Sequence, residues 1–169
     1  MDQLLVIYHE QAGGSSAEIR ESVVETLRAG ATVAVEGVEE PGDLRRVLTA
    51  YAGWRPVVLG GDGSFHALVA ALHELDRTGD QPLGLVPLGT GNDLARSLGL
   101  PLEPAAAAEV VLHGRPRALD VLVDDAGGVA VNAVHLGVGA AAAERAGPLK
   151  GPLGRLAYPV GALLAGVRG

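Results

Sequence analysis

Short apolar strands alternate with amphipathic helices, and two glycine-rich loops stand at strand ends, so the sequence is that of an α/β protein. It predicts a mainly parallel sheet with helices on both faces. A turn-rich segment late in the chain adds a terminal antiparallel hairpin.

The first apolar run, Leu4-Leu5-Val6-Ile7-Tyr8, has the unbroken hydrophobicity of a strand buried on both faces. A polar loop, 9–14, leads to Ser15 and Ser16 as helix caps. Ile19, Val23, Val24 and Leu27 then recur at helical spacing until Gly30. Thr32 to Val35 is the second strand. Asp43 is placed to cap a helix carrying Leu44, Val47, Leu48 and Tyr51, and Pro56-Val57-Val58-Leu59 is the third strand. Phe65 to Arg77 follows as a helix, with Leu68, Val69, Leu72 and Leu75 on one side. Leu83 to Val86 is the fourth strand and Leu94 to Leu98 a short helix started by Asp93.

Beyond Pro101 the rhythm changes. Pro104 to His113 is an alanine-rich helix, and 115–123 and 129–135 read as two strands joined by Asp124-Asp125-Ala126-Gly127-Gly128, which favours a hairpin over another crossover. The closing stretch, 153–168, is apolar and helical in pattern. It is shorter than the ~20 residues a membrane span requires, and reads as a core or partner-facing helix before a membrane-surface one.

Composition narrows the function. The chain has 169 residues, 48% hydrophobic and 20% charged, which fits one globular domain and excludes disorder. The net charge of −7 and an aromatic content of 3% argue against nucleic acid as a partner, since neither a phosphate-neutralising surface nor a stacking platform is present. With no cysteine, disulfides, zinc thiolates and a thiol nucleophile are excluded. No basic, long-apolar leader opens the sequence, so a cytoplasmic location is expected. Lys150 is the only lysine and lies in a Gly-Pro loop, so neither a Walker A lysine nor a protein-kinase strand lysine exists. Phosphate chemistry would therefore rest on backbone N–H groups, arginines and a metal.

The glycine loops supply the place for it. Gly60-Gly61-Asp62-Gly63-Ser64 lies between a strand end and a helix start, where backbone N–H groups and the helix dipole favour an anion. A carboxylate there, Asp62, suits polyphosphate only with a divalent cation between them or a hydroxyl to accept from; the alternative is a tight turn with Asp62 as helix cap. Pro87-Leu88-Gly89-Thr90-Gly91-Asn92-Asp93 repeats the construction one strand later.

These two loops, with Leu94-Ala95-Arg96 after the second, closely resemble the diacylglycerol kinase catalytic-domain family, which includes the sphingosine kinases and bacterial soluble lipid kinases. The resemblance runs over essentially the whole chain, 1–169. It implies the nucleotide-binding fold shared with 6-phosphofructokinases and NAD kinases, with the second motif distinguishing the lipid kinases. It also implies ATP and Mg²⁺ as cofactors, with Gly60, Gly61, Asp62, Gly63, Ser64, Phe65 and His66 at the phosphates and Asp62 toward the metal. Gly89, Thr90, Gly91 and Asn92 would lie beside the nucleotide, and His9, Ala12 and Gly13 fall in the family's first loop. There His9-Glu10 replaces Asn-Pro; Val38, Ala67 and Ala140 stand where the family often has threonine, glutamate and aspartate. Family members carry a C-terminal β-rich domain whose Asp-Gly-Glu segment supplies the catalytic base. That domain is expected to be absent here and the base to lie beyond Gly169, so no catalytic residue is assigned.

The function implied is transfer of the ATP γ-phosphoryl group to a lipid hydroxyl, foremost that of diacylglycerol to give phosphatidate. It would involve transient peripheral membrane contact, and a homo-oligomer is compatible with it. The alternatives are a nucleotide-binding module without catalysis and a kinase of a soluble acceptor. Gly137-Val138-Gly139-Ala140-Ala141-Ala142 also matches a dinucleotide fingerprint, but no acidic residue follows Glu144 to receive a ribose. The histidines show no metal-ligand spacing, and Asp124-Asp125 reads as turn chemistry.

Overall fold

In the computed structural model the chain divides into two compact units, Met1–Val131 and Asn132–Gly169. The structure describes residues 1–10 and 17–131, all within the first.

Four strands, β1 (Gln3–His9), β2 (Thr32–Val38), β3 (Arg55–Gly60) and β4 (Gly84–Pro87), form one sheet in the order β2-β1-β3-β4. Every pairing is parallel, with Val6 opposite both Val35 and Val57, and Leu59 opposite Val86. Alternation along β1 fills two cores. Leu5 and Ile7 face α2 (Pro41–Ala50), α3 (Asp62–Glu74) and α4 (Asp93–Ser97), where Leu48, Leu68 and Leu94 are buried. Leu4 and Val6 face α1 (Ala17–Gly30) and α5 (Pro104–His113), against Leu27 and Ala108. Leu4 to Ile7 are at most 2% exposed, as a central strand covered on both sides requires.

Chain order and spatial order diverge at β1 and β3: the chain steps outward from β1 to β2, then returns to build β3 and β4 on the other side. The carboxyl edge at such a reversal is where open α/β sheets bind ligands. Tyr8 is in register with Leu59, so β1 and β3 end level, and the loops after β3 and β4 open from the same edge.

Several boundaries differ from expectation, each for a local reason. Helix α2 starts at Pro41, whose missing N–H is harmless in a first turn, with Glu40 as cap. Asp43 is its third residue and reaches back, its Oδ2 accepting from the N–H groups of Glu40 (3.1 Å) and Glu39 (3.2 Å). Helix α3 starts at Asp62 rather than Phe65 and stops at Glu74, because Asp76 turns left-handed (φ 54°) and the Arg77 N–H closes onto the Leu72 carbonyl. The hairpin is antiparallel as predicted, but its strands are short: β5 (Leu122–Val123) pairs with β6 (Val129–Ala130). Pro116 has no N–H for a ladder, and Arg117 donates instead to the Leu98 carbonyl at 2.8 Å. Asp124 fills the turn role given to it, its Oδ1 accepting from Ala126 and Gly128. The caps Ser15 and Ser16, the strand beyond Val131 and the closing 153–168 helix lie outside the described residues.

Candidate functional site

The site is built from the loops that leave β3 and β4. Leucine and valine runs carry each strand through the sheet, and glycine then lets the backbone turn into a helix without side-chain bulk. The turns are pressed together. A Cβ on Gly89 would stand 2.5 Å from Gly61 Cα and 2.8 Å from Asn92 Oδ1, and one on Gly61 would stand 3.0 Å from Gly89 Cα. Only glycine at both positions permits this approach. Gly60 has a different neighbour, the Ser64 side chain, and its carbonyl accepts from the Leu88 N–H at 3.0 Å.

Asp62 joins the loops electrostatically. Its Oδ2 accepts from the Asp93 N–H at 3.1 Å and its Oδ1 from the Leu94 N–H at 2.8 Å. It therefore caps α4 from the first residue of α3, 31 residues earlier. The local cap position, Asn92, cannot do this, because its side chain is turned to Gly89: Oδ1 accepts from the Gly89 N–H (3.0 Å) and Nδ2 donates to the Gly89 carbonyl (2.7 Å). Asn92 itself is left-handed (φ 54°, ψ 41°), a conformation asparagine tolerates better than most residues. Arg96 Nε donates to the Gly91 carbonyl at 3.1 Å, closing the second loop from the far side.

The predicted site residues thus separate into groups. Gly60, Gly61, Asp62, Gly63 and Ser64 come together with Gly89, Gly91 and Asn92. Thr90 is exposed in the second loop. Phe65 is 6% exposed with its ring in the core, so only its backbone faces the loop, and its N–H closes onto the Gly61 carbonyl. His66, one turn after Asp62, holds the hairpin: its Nε2 lies 2.6 Å from the Val129 carbonyl, which can only accept, so Nε2 carries the proton and ties α3 to β6. His9 ends β1 at the same edge of the sheet, while Ala12 and Gly13 lie outside the described residues.

Sequence reasoning did not anticipate the partners of these residues. That Asp62 caps α4, that Arg96 braces Gly91 and that His66 holds the hairpin are pairings across separate elements. One signal was present: Asn92, followed at once by a helix, leaves that helix's first N–H groups to an acceptor from elsewhere whenever its own amide is engaged.

Chemically, α3 contributes first-turn N–H groups, which lack intrahelical acceptors, beside glycines that let a ligand approach the backbone. A Cβ on Gly63 would meet nothing within 4 Å, so that side of the turn is open. For a divalent cation the donor set is sparse. Among the described residues no three His, Cys, Asp or Glu side chains converge. Asp62 and Asp93 do approach each other across Gly91, where a Cβ would stand 3.4 Å from Asp62 Oδ2 and 3.6 Å from Asp93 Oδ2. A carboxylate oxygen with one hydrogen bond keeps a further lone pair. The residues therefore fit an ion such as Mg²⁺, which is bound by one or two carboxylates with water and phosphate oxygens completing the shell.

Comparison with known proteins agrees with this architecture. Residues 3–123 match the family model for the diacylglycerol kinase catalytic domain. A Pseudomonas aeruginosa protein named "Probable lipid kinase YegS-like" is 42% identical over 107 residues, 62% of this chain and 34% of its own length. A Chromohalobacter salexigens protein of the same name is 37% identical over 153 residues, 87% of this chain and 48% of its own. A crystal structure of a diacylglycerol kinase from Bacillus anthracis superposes with a TM-score of 0.62 at 27% identity, covering 71% of this chain and 42% of that one. The chain spans half or less of the length of these relatives. With the family's loops at the carboxyl edge of its sheet, the chain belongs to the diacylglycerol kinase catalytic-domain family.

Proposed function

We propose that this chain is the nucleotide-binding part of an ATP-dependent lipid kinase that moves the γ-phosphoryl group of ATP to a lipid hydroxyl, foremost that of diacylglycerol. The observation that carries it is the backbone contact between Gly61 and Gly89 at the carboxyl edge of the sheet, which assembles a glycine-lined start to α3. The hydroxyl oxygen attacks the γ-phosphorus and gives up its proton to a base, the bond to the β–γ bridging oxygen breaks, ADP leaves and phosphatidate forms. Such transfer needs little from the protein beyond positioning and neutralisation of charge.

In this reading the first turn of α3 binds the phosphates through backbone N–H groups, and the open side of Gly63 admits them. Asp62 would hold Mg²⁺ while keeping α4 in place, and that ion, when bound, supplies charge neutralisation across the phosphate oxygens. The protein would work in the cytoplasm and meet the lipid at the membrane surface. Among the described residues no helix is long and apolar enough to cross a membrane.

The test is binding of Mg²⁺·ATP to this chain, followed by transfer of label from [γ-³²P]ATP to dispersed diacylglycerol, with a sphingoid base and NAD as competing acceptors. Labelled phosphatidate, dependent on Mg²⁺, is the expected product, and Asp62→Ala should abolish Mg²⁺-dependent nucleotide binding. Label in NAD would transfer the reading to a soluble acceptor. Nucleotide binding with no transfer to any acceptor would favour a non-catalytic module.

A further inference from the structure

We infer that Asn92 is a positioning residue for the nucleotide phosphates, acting through the Gly89 peptide and not by touching the ligand; this rests on the nucleotide reading of the two loops. Asn92 is 8% exposed, the one polar residue among the buried residues described. Its amide is matched, donor to acceptor and acceptor to donor, against one residue: the N–H and the carbonyl of Gly89. A side chain used this way has one N–H and one lone pair left, and is too deeply buried to offer them readily to a ligand.

Four backbone donors in the second loop and at the start of α4 turn inward. The Leu88 N–H goes to the Gly60 carbonyl, the Gly89 N–H to Asn92, and the Asp93 and Leu94 N–H groups to Asp62. Donors committed at 2.8 to 3.1 Å to the protein are not the ones that grip a phosphate. Through these four donors the second loop acts as a brace, and the first loop, at the start of α3, is the cradle. Asn92 fixes the brace: it sets the orientation of the Gly89 residue, whose Cα lies too close to the Gly61 backbone for a Cβ on either, immediately before α3 begins. Releasing Gly89 lets the two backbones part, and the first-turn N–H groups lose the fixed geometry that makes them an anion site.

A brace and a ligand contact make different demands on the ligand. If Asn92 touched the nucleoside, its loss would weaken ATP and spare inorganic tripolyphosphate. If it braces the phosphate cradle, both weaken equally. The experiment is calorimetric titration of Mg²⁺·ATP and of Mg²⁺·tripolyphosphate into wild type, Asn92→Gly and Asn92→Asp. Glycine tolerates the left-handed backbone without the amide, and aspartate keeps the acceptor for the Gly89 N–H while losing the donor. Amide exchange reports on Gly89, Asp93 and Leu94, with Val57 and Val58 as the measure of an intact sheet.

For Asn92→Gly we expect both ligands to bind about tenfold more weakly, the scale of one or two net hydrogen bonds. Gly89 should exchange faster while Val57 and Val58 keep their protection. Asn92→Asp should recover part of the loss for both ligands, and it carries the comparison should the glycine variant fail to fold. A loss confined to ATP, or no loss for either ligand in a folded variant, overturns the inference and leaves the nucleotide reading standing. Wild type that binds neither ligand overturns that reading, and this inference with it.

Discussion

Gly63 and Gly89 share a chemistry and differ in what surrounds them. Gly89 has backbone on its side-chain face, so Gly89→Ala must push the loops apart; overpacking of that kind costs about 1–3 kcal/mol. Gly63 sits in the first turn of α3 with open space on that face and no left-handed backbone, so Gly63→Ala should stabilise the fold by about 0.4–1 kcal/mol. Nucleotide affinity should nonetheless fall in both variants, because the methyl of Gly63→Ala occupies the space through which the phosphates approach. Urea unfolding beside nucleotide titration separates the effects, and a stabilised Gly63→Ala that binds Mg²⁺·ATP like wild type would remove Gly63 from the cradle. The glycines themselves could be read from sequence because strand, glycine loop and helix follow one another locally. The Asp62 cap could not: its partners are 31 and 32 residues away, and only the sheet order brings β3 and β4 side by side.

Helices α2 and α5 show how element boundaries depend on carboxylates. Glu103 caps α5, its oxygens accepting from the N–H groups of Ala105 (3.0 Å) and Ala106 (2.6 Å), and these two bonds hold its carboxyl below the usual range. Asp43 is lowered in the same way by the Glu40 and Glu39 N–H groups, with a smaller contribution from Arg46. A carboxyl held low in the folded state stabilises at any pH above its unfolded value, and that contribution disappears as pH falls through the folded one. Wild type should therefore melt above Glu103→Gln and Asp43→Asn at neutral pH, and the gaps should close on acidification below the ordinary carboxylate range. Thermal melts from pH 7 to pH 3 measure this, and a gap that widens in acid would contradict the assigned caps. Helix α5 was legible to the residue because Glu103-Pro104 is a local start signal, whereas the start of α3 was not: Gly61, its cap, has no side chain to announce it. The hairpin's turn was legible from Asp124 to Gly128, but strand length depends on pairing, which sequence alone does not contain.

The sheet divides the molecule's described part into two apolar layers that share strands but few side chains. Alternation along β1 and β3 was enough to anticipate this, since residues adjacent in sequence point to opposite faces. The adjacency of the two glycine loops depends on something the alternation leaves open, the step that places β4 directly beside β3 at the sheet's edge. Both layers hold that order in place, and the layers can be tested separately. Val69 on α3, 3% exposed, belongs to the layer under the glycine loops; Val23 on α1, 1% exposed, belongs to the opposite one. Each valine-to-alanine change removes two buried methyl groups and leaves a small cavity, so each should cost about 1.5–3 kcal/mol. With the sheet between them and no shared partner, the costs should add to within about 0.5 kcal/mol in the double variant. Their effects on the site should differ. Val69→Ala loosens the seat of the helix whose first turn forms the cradle, and should weaken nucleotide binding beyond what Val23→Ala does. Urea unfolding of the two single variants and the double, with nucleotide titration of each, tests both statements. Equal binding losses at Val23 and Val69 would mean that the sheet transmits packing defects from either layer to its carboxyl edge, and that the layer under the loops has no special hold on them.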